Sequence, residues 1–283
     1  MRIESVCGGR IAAVAVGVLA TEAKLLHSIC MNVTETGFEL LYEVGACLAV
    51  AKPGGLLTQA ARGIDSLEVR IKEFLKARGE RQGGVYLGIV HRLDRPVSGV
   101  LVMGTNRRAA RRLAEQFEGR MVHKVYWALV EGQIDEDTGT WRDYLRKIPN
   151  VAQAEVVEEN SPDAREAILK YQVIQRRDKL TWLQIQLETG RMHQIRVQAA
   201  ARGCPVLGDE QYGAKRPFGK QFEDVRERLI GLHARELGFR QPKGWERILV
   251  EAPLPTPWHD LGITEDVAAA TCKQLANQPG RWT

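Results

Sequence analysis

Cysteine is scarce in this 283-residue chain and poorly placed for pairing: Cys7, Cys30, Cys47, Cys204 and Cys272 are odd in number and include no CxxC. That argues against a disulfide framework and a cysteine zinc site, and scattered thiols of this kind fit a reducing, cytoplasmic setting. The six histidines are dispersed without metal-ligand spacing. P-loop, GxGxxG, HExxH and nucleophile-elbow motifs are all missing, so no metal and no cofactor are expected. Long apolar runs are missing too. The stretch from Ile11 to Ala20 covers ten residues, about half of what a bilayer-spanning helix needs.

That stretch follows Arg10 and has the outline of a short secretory h-region, although Glu4 offsets Arg2 and Arg10. Two readings compete to account for it instead: an amphipathic or disordered extension, or an early start with Met31 as the true initiator. Residues 1–37 are therefore set apart as an extension, 38–257 as the main domain and 258–283 as a tail. Charge is only mildly one-sided, with 40 Lys+Arg against 35 Asp+Glu, a weak pull toward an anionic partner such as nucleic acid.

The patterning predicts a mixed α+β domain rather than regular βαβ winding. Leu40–Tyr42 and Cys47–Ala51 read as a strand pair, followed by a tight Lys52-Pro53-Gly54-Gly55 turn. Ser66 starts a helix with Leu67, Ile71, Phe74 and Leu75 on one face. Val85–Val90, Val100–Met103 and Val122–Val130 read as strands, and Asn106 caps a helix between the last two. Ile134–Arg165 is polar and reads as irregular. Thr181–Glu188 alternates, with Leu183, Ile185 and Leu187 opposite Trp182, Gln184 and Gln186. Met192, Ile195 and Ala199 mark a further helix, and Leu249–Leu254 closes the domain.

Four groups of polar residues could carry chemistry. Asp94 stands between Arg92 and Arg95 just after a buried-looking strand; it reads equally as a salt-bridged strand end and as a nucleophile or electrostatic stabiliser. Lys124 and Tyr126, two apart on a strand, share a face, where the tyrosine is either core or a platform for a base. In Gly190–Arg196, His193 and Arg196 share a face if the segment is helical, beside unpaired N–H groups that suit an anion. Arg107, Arg108, Arg111 and Arg112 crowd one helix, as a solvated surface or as contacts to an RNA backbone.

The segment His91-Arg92-Leu93-Asp94-Arg95-Pro96-Val97-Ser98-Gly99 resembles the signature of the RluA-type pseudouridine synthases. The likeness extends through Tyr42-Glu43, Ala51-Lys52-Pro53-Gly54-Gly55-Leu56, Lys124-Val125-Tyr126-Trp127-Ala128, Thr189–Val197, Gly208-Asp209 with Tyr212-Gly213, Leu232-His233-Ala234 and Ala252-Pro253-Leu254-Pro255. It covers about residues 38–257 in the family's order.

The resemblance implies the pseudouridine synthase catalytic fold, a largely antiparallel sheet with flanking helices, and a cofactor-free isomerisation of uridine in folded tRNA or rRNA. The bond from ribose to N1 is broken, the base turns, and C5 is joined in its place. It implies Asp94 as the essential aspartate, attacking sugar or base, and Tyr126 as the residue that packs on the target base and takes part in proton removal. Arg196 pairs with the aspartate, Ile195 lines the pocket, and Arg92 fills the space left by the flipped nucleotide. Arg95, Lys124, Arg191, His193 and the four helix arginines are the expected RNA contacts. Many members carry an N-terminal S4-type domain; residues 1–37 are too few for one, so the form without it is expected. Neither a membrane partner nor a second copy of the chain is expected.

Four departures from the family pattern spare the aspartate, tyrosine and arginine: Val97, Leu169 and Met192 replace frequent threonines, and Gln198 a common histidine. An RNA-binding module without catalysis would not need that trio. A hydrolase of free nucleosides would need a closed pocket rather than a basic cleft.

Overall fold

The computed structural model describes residues 36–79 and 84–271. The extension, its apolar stretch and Met31 lie outside the described residues. The fold is α+β, and its centre is one mixed, mostly antiparallel sheet flanked by helices.

Strands β1 (Glu39–Val44) and β2 (Cys47–Lys52) form the expected hairpin, joined at Gly45-Ala46. Ser66 caps α1 (Leu67–Ala77) by accepting from the Val69 N–H, and Leu67, Ile71, Phe74 and Leu75 are its buried face. Only Gly88–Ile89 (β3) of the stretch expected from Val85 to Val90 pairs as a strand, against β4 (Ser98–Gly104). Asn106 caps α2 (Arg107–Glu118). Then come β5 (His123–Glu131), β6 (Thr138–Lys147), β7 (Ala154–Val157), β8 (Arg165–Arg177) and β9 (Leu180–Leu187), followed by α3 (Gln194–Ala201), β10 (Leu232–Arg240) and β11 (Arg247–Glu251). The strand order is β1-β2-β4-β10-β5-β9-β8-β6-β7, with β11 added to β10 and β3 to β4.

Strand β10 brings the site together. It pairs antiparallel with β5, placing Ala234 beside Tyr126, and parallel with the start of β4, placing Ala234 beside Gly99. Gly99 has φ +124°, and a Cβ there would lie 2.3 Å from the Ala234 carbonyl oxygen; only glycine lets the two strands close at this point. A bulge between Ala234 and Glu236 interrupts the β5 ladder next to Tyr126. Along β5, Val125, Trp127 and Leu129 enter one apolar cluster, while Ala128, Val130 and Tyr126 join the other. Both faces of the central sheet are therefore covered, and Trp182, on the face opposite Leu183 and Ile185, is buried edge-on against Trp127.

Two expectations need correction. The segment 134–165 is not irregular: it holds β6 and β7 and leads directly into β8. Its strands lie at the sheet edge and bury little beyond Trp141, Leu145 and Ala154. Cross-strand charges such as Arg146–Glu155, at 2.6 Å in direct register, replace apolar alternation there. The boundary at 257 also cuts a packed layer. Helices α4 (Thr256–His259) and α5 (Glu265–Thr271) follow it, and Trp258, Ile263 and Ala268 are buried with Trp127, Trp182 and Phe218.

Candidate active site

Asp94 sits in the loop between β3 and β4, and that loop is fastened along its length. Gly55 and Arg95 exchange bonds: the Gly55 N–H donates to the Arg95 carbonyl at 2.7 Å, and Arg95 Nε donates to the Gly55 carbonyl at 2.8 Å. Thr58 Oγ1 donates to the Leu93 carbonyl at 2.9 Å, and the Val97 N–H closes a turn onto the Asp94 carbonyl at 3.1 Å. His91 Nε2 accepts from the Val102 N–H at 3.0 Å, and its ring stacks on Phe117 at 4.3 Å. Burial, with Lys124 adding, lowers His91 to about 3, consistent with a neutral acceptor. The Asp94 side chain remains 34% exposed. Arg92 is exposed and without a partner among the described residues.

Beneath this loop lies Lys52, which is 1% exposed. Its Nζ donates to the carbonyls of Pro53 and Leu56 at 2.8 Å and of Arg95 at 3.2 Å. Burial lowers its value from 10.5 to about 7; Asp94 opposes that and Arg95 adds to it. Between those two values the folded chain binds fewer protons than the unfolded one. The contribution of Lys52 to stability therefore rises with pH across that window and is smallest below it. Measured by chemical denaturation between about pH 7 and 10, wild-type protein should gain stability relative to Lys52→Met. Parallel curves would show the ammonium to be solvated.

The guanidinium of Arg196 comes from α3. It is 4% exposed and binds Asp209 at both ends, with Nε to Oδ2 at 2.6 Å and Nη2 to Oδ1 at 2.8 Å. Nη2 also reaches Gln211 Oε1 at 2.7 Å, the Tyr212 ring lies 4.9 Å from Cζ, and Nη1 donates to Asp94 Oδ2 at 3.2 Å. Burial opposes its charge, but the bonds and charges of Asp209 and Asp94 outweigh this and hold Arg196 above its ordinary value. The turn ahead of α3 is clamped by buried Gln194. Its Oε1 accepts from Thr189 Oγ1 at 2.8 Å and from the Arg191 N–H at 3.0 Å, while Nε2 donates to the Ile168 carbonyl at 3.1 Å.

Tyr126 is half-buried on β5. Burial and then the charge of Asp94 push its hydroxyl far above the usual range, so in the resting site it is a neutral phenol, able to stack and donate. On the same face, Lys124 Nζ donates to the Thr189 carbonyl at 3.3 Å. Burial, then Arg120 and Arg191, lower Lys124 to about 8. Burial, Arg120 and Arg165 lower Arg191 against the pull of Glu166. Four cations thus crowd one side of the site, and no carboxylate lies within ion-pair distance of any of them among the described residues. Such a cluster is complementary to phosphate.

The expected residues are distributed unevenly. Asp94, Arg196 and His193 converge, and Tyr126 and Lys124 face them from β5. Arg95 is committed to Gly55, and Ile195 is buried in the larger apolar cluster. Arg107, Arg108 and Arg111 stay exposed on α2, and among the described residues no hydrogen bond or ion pair joins them to the Asp94 loop. Arg112 donates to the Pro242 carbonyl and ties α2 to the β10–β11 hairpin. Lys52, Asp209 and Tyr212 were legible as family motif positions but had no assigned role; Arg120 and Arg165 carried no signal beyond their charge.

The RNA pseudouridylate synthase family matches residues 46–201. The dual-specificity RNA pseudouridine synthase RluA of Vibrio vulnificus is 34% identical over 223 residues, covering 76% of this chain and 83% of its own length. The uncharacterized RNA pseudouridine synthase YlyB of Bacillus subtilis is 31% identical over 229 residues, covering 79% and 71%. Human RNA Pseudouridylate Synthase Domain Containing 4, a solved structure, shares the fold with a TM-score of 0.64 at 23% identity, over 79% of this chain and 92% of that one. With the matched span running from β2 to the end of α3, and so holding Asp94, Tyr126 and Arg196, the chain belongs to the RNA pseudouridylate synthase family and isomerises uridine in RNA.

Proposed function

We propose that this enzyme is of the RluA type and acts on a uridine flipped out of a stem-loop of tRNA or rRNA, with Asp94 as the reacting carboxylate. The observation that carries the reading is the contact between Arg196 Nη1 and Asp94 Oδ2, 3.2 Å, in a loop that leaves Asp94 partly exposed. The N1–C1′ bond breaks and a C5–C1′ bond forms. The proton lost from C5 is matched by one gained at N1, so the reaction needs no outside reactant. Arg196 orients the carboxylate and Tyr126 receives the base. Extruding a nucleotide costs a few kcal/mol, and stacking on Tyr126 returns about 1–3 kcal/mol. Arg92, free at the rim, fills the vacated space, and Lys124, Arg191, Arg120 and Arg165 hold adjacent phosphates. The relatives include some called ribosomal large subunit synthases, which supports the rRNA class, and one called dual-specificity, which accords with more than one target. The buried free thiols Cys47 and Cys204 accord with a reducing, cytoplasmic setting. Incubating the protein with tRNA and with ribosomal RNA fragments and mapping pseudouridine at nucleotide resolution tests the reading; modification of neither class would refute it.

The exposed arginines of α2 serve the same reading through the RNA backbone. Replacing Arg107, Arg108 and Arg111 together with Gln should weaken RNA binding and flatten its salt dependence, by about 0.7–0.9 in log–log slope for each phosphate no longer neutralised. An unchanged salt titration would assign that face to solubility.

A further inference from the structure

His193 stands just outside the helix it introduces, with φ +52° in the left-handed region. Its Nε2 is 3.5 Å from Asp94 Oδ2, a separation of the kind that tightens when substrate closes a site. The other ring nitrogen is held: Nδ1 lies 2.8 Å from Tyr212 Oη, which accepts from the Ala154 backbone N–H at 2.9 Å. A backbone amide can only donate, so Tyr212 uses a lone pair there; its own proton has no acceptor but Nδ1 among the described residues and is assigned to it. This assigns His193 the tautomer that carries hydrogen on Nε2, aimed at Asp94. Burial lowers His193 below its ordinary value, with Asp94 and Asp209 opposing and Arg196 adding, so the neutral ring fits. Arg196 Nη1 reaches the same carboxylate oxygen. Arg196 is bonded to Oδ2, His193 Nε2 approaches the same oxygen, and among the described residues nothing holds Oδ1.

We propose that His193, locked by Tyr212, is a positioning residue that together with Arg196 commits Asp94 Oδ2 and presents Oδ1 to the uridine. The proposal rests on the reading of Asp94 as the reacting carboxylate. A carboxylate turns easily about Cβ–Cγ, and two donors on one oxygen remove that freedom. Reaction rates are sensitive to misplacement of about 1 Å. Ala154 begins β7, so the edge hairpin of β6 and β7 becomes part of the support of the site. On this proposal His193, expected from sequence as an RNA contact, acts through Asp94.

The test uses two substitutions at His193 and one at Tyr212, followed by single-turnover pseudouridine formation at saturating enzyme, RNA affinity and thermal melting. Asn tolerates the left-handed backbone, keeps an acceptor for Tyr212 and is too short to reach Asp94; Gln carries an amide nitrogen about as far as Nε2. His193→Asn should slow turnover about 10–100-fold with RNA affinity held within about 2-fold, and His193→Gln should recover most of the loss. Tyr212→Phe, which leaves the ring but frees it, should slow turnover by less at unchanged affinity. A wild-type rate in His193→Asn, a loss of affinity at unchanged rate, or Gln no better than Asn in folded protein would each overturn the proposal. If both His193 variants fail to fold, a wild-type rate in Tyr212→Phe overturns it and a slowed rate at unchanged affinity supports it. Asp94→Asn run in parallel separates the two readings. Its turnover would refute Asp94 itself, whereas an inactive Asp94→Asn beside a normal His193→Asn removes only the positioning role.

Discussion

Asp94→Asn is expected to lower pseudouridine formation about 10⁴-fold or more while leaving RNA affinity within about 3-fold of wild type. The amide keeps the shape of the carboxylate and can still accept from Arg196 Nη1, so the loop tied to Lys52, Gly55 and Thr58 should hold its place. What is lost is a charged oxygen at a spot where the side chain is one-third exposed and its charge acts on Tyr126, which lies across β10 on β5. Affinity should survive because, on the proposed reading, the RNA is held elsewhere, by Lys124, Arg191 and the exposed arginines. The measurement is single-turnover conversion on the mapped substrate together with filter binding. Turnover within about 10-fold of wild type would move the chemistry to another group, and collapse of binding would make Asp94 a structural member of the site.

The motifs of this chain were legible because their chemistry demands uncommon residues in a fixed order, and Asp94, Tyr126 and Arg196 could be named before any geometry. Their convergence could not. It depends on β10, which pairs with both β4 and β5 although it lies more than a hundred residues away from each. Asp209 carried no local sign of being the partner of Arg196, since thirteen residues and a turn separate them. The edge strands β6 and β7 were missed because paired charges, rather than alternating apolar residues, fill their exposed faces. Trp258 falls in the tail by sequence pattern, although it is fully buried and packs that segment against the sheet. Helical spacing would put His193 on one face with Arg196, but its left-handed backbone takes it out of the helix and toward Asp94. Local pattern names the residue types; the direction in which each side chain points is set by tertiary contacts that no window of sequence contains.

The second large effect is expected at Arg196, where fold and chemistry meet in one side chain. Arg196→Met should cost about 3–5 kcal/mol of stability. It leaves Asp209, whose side chain is 1% exposed, with neither of its two guanidinium bonds. It should also end catalysis, because Asp94 Oδ2 loses its 3.2 Å donor. The double variant Arg196→Met with Asp209→Leu separates these losses. Removing both members of a buried pair is often neutral or stabilising, so most of the melting temperature should return. Pseudouridine formation should not, since no cation then faces Asp94 from α3. Recovery of turnover along with stability would confine Arg196 to holding the fold. Recovery of stability alone would show that the buried pair exists to carry one charge to the edge of Asp94, with Asp209 as the counter-charge that lets an arginine be buried there.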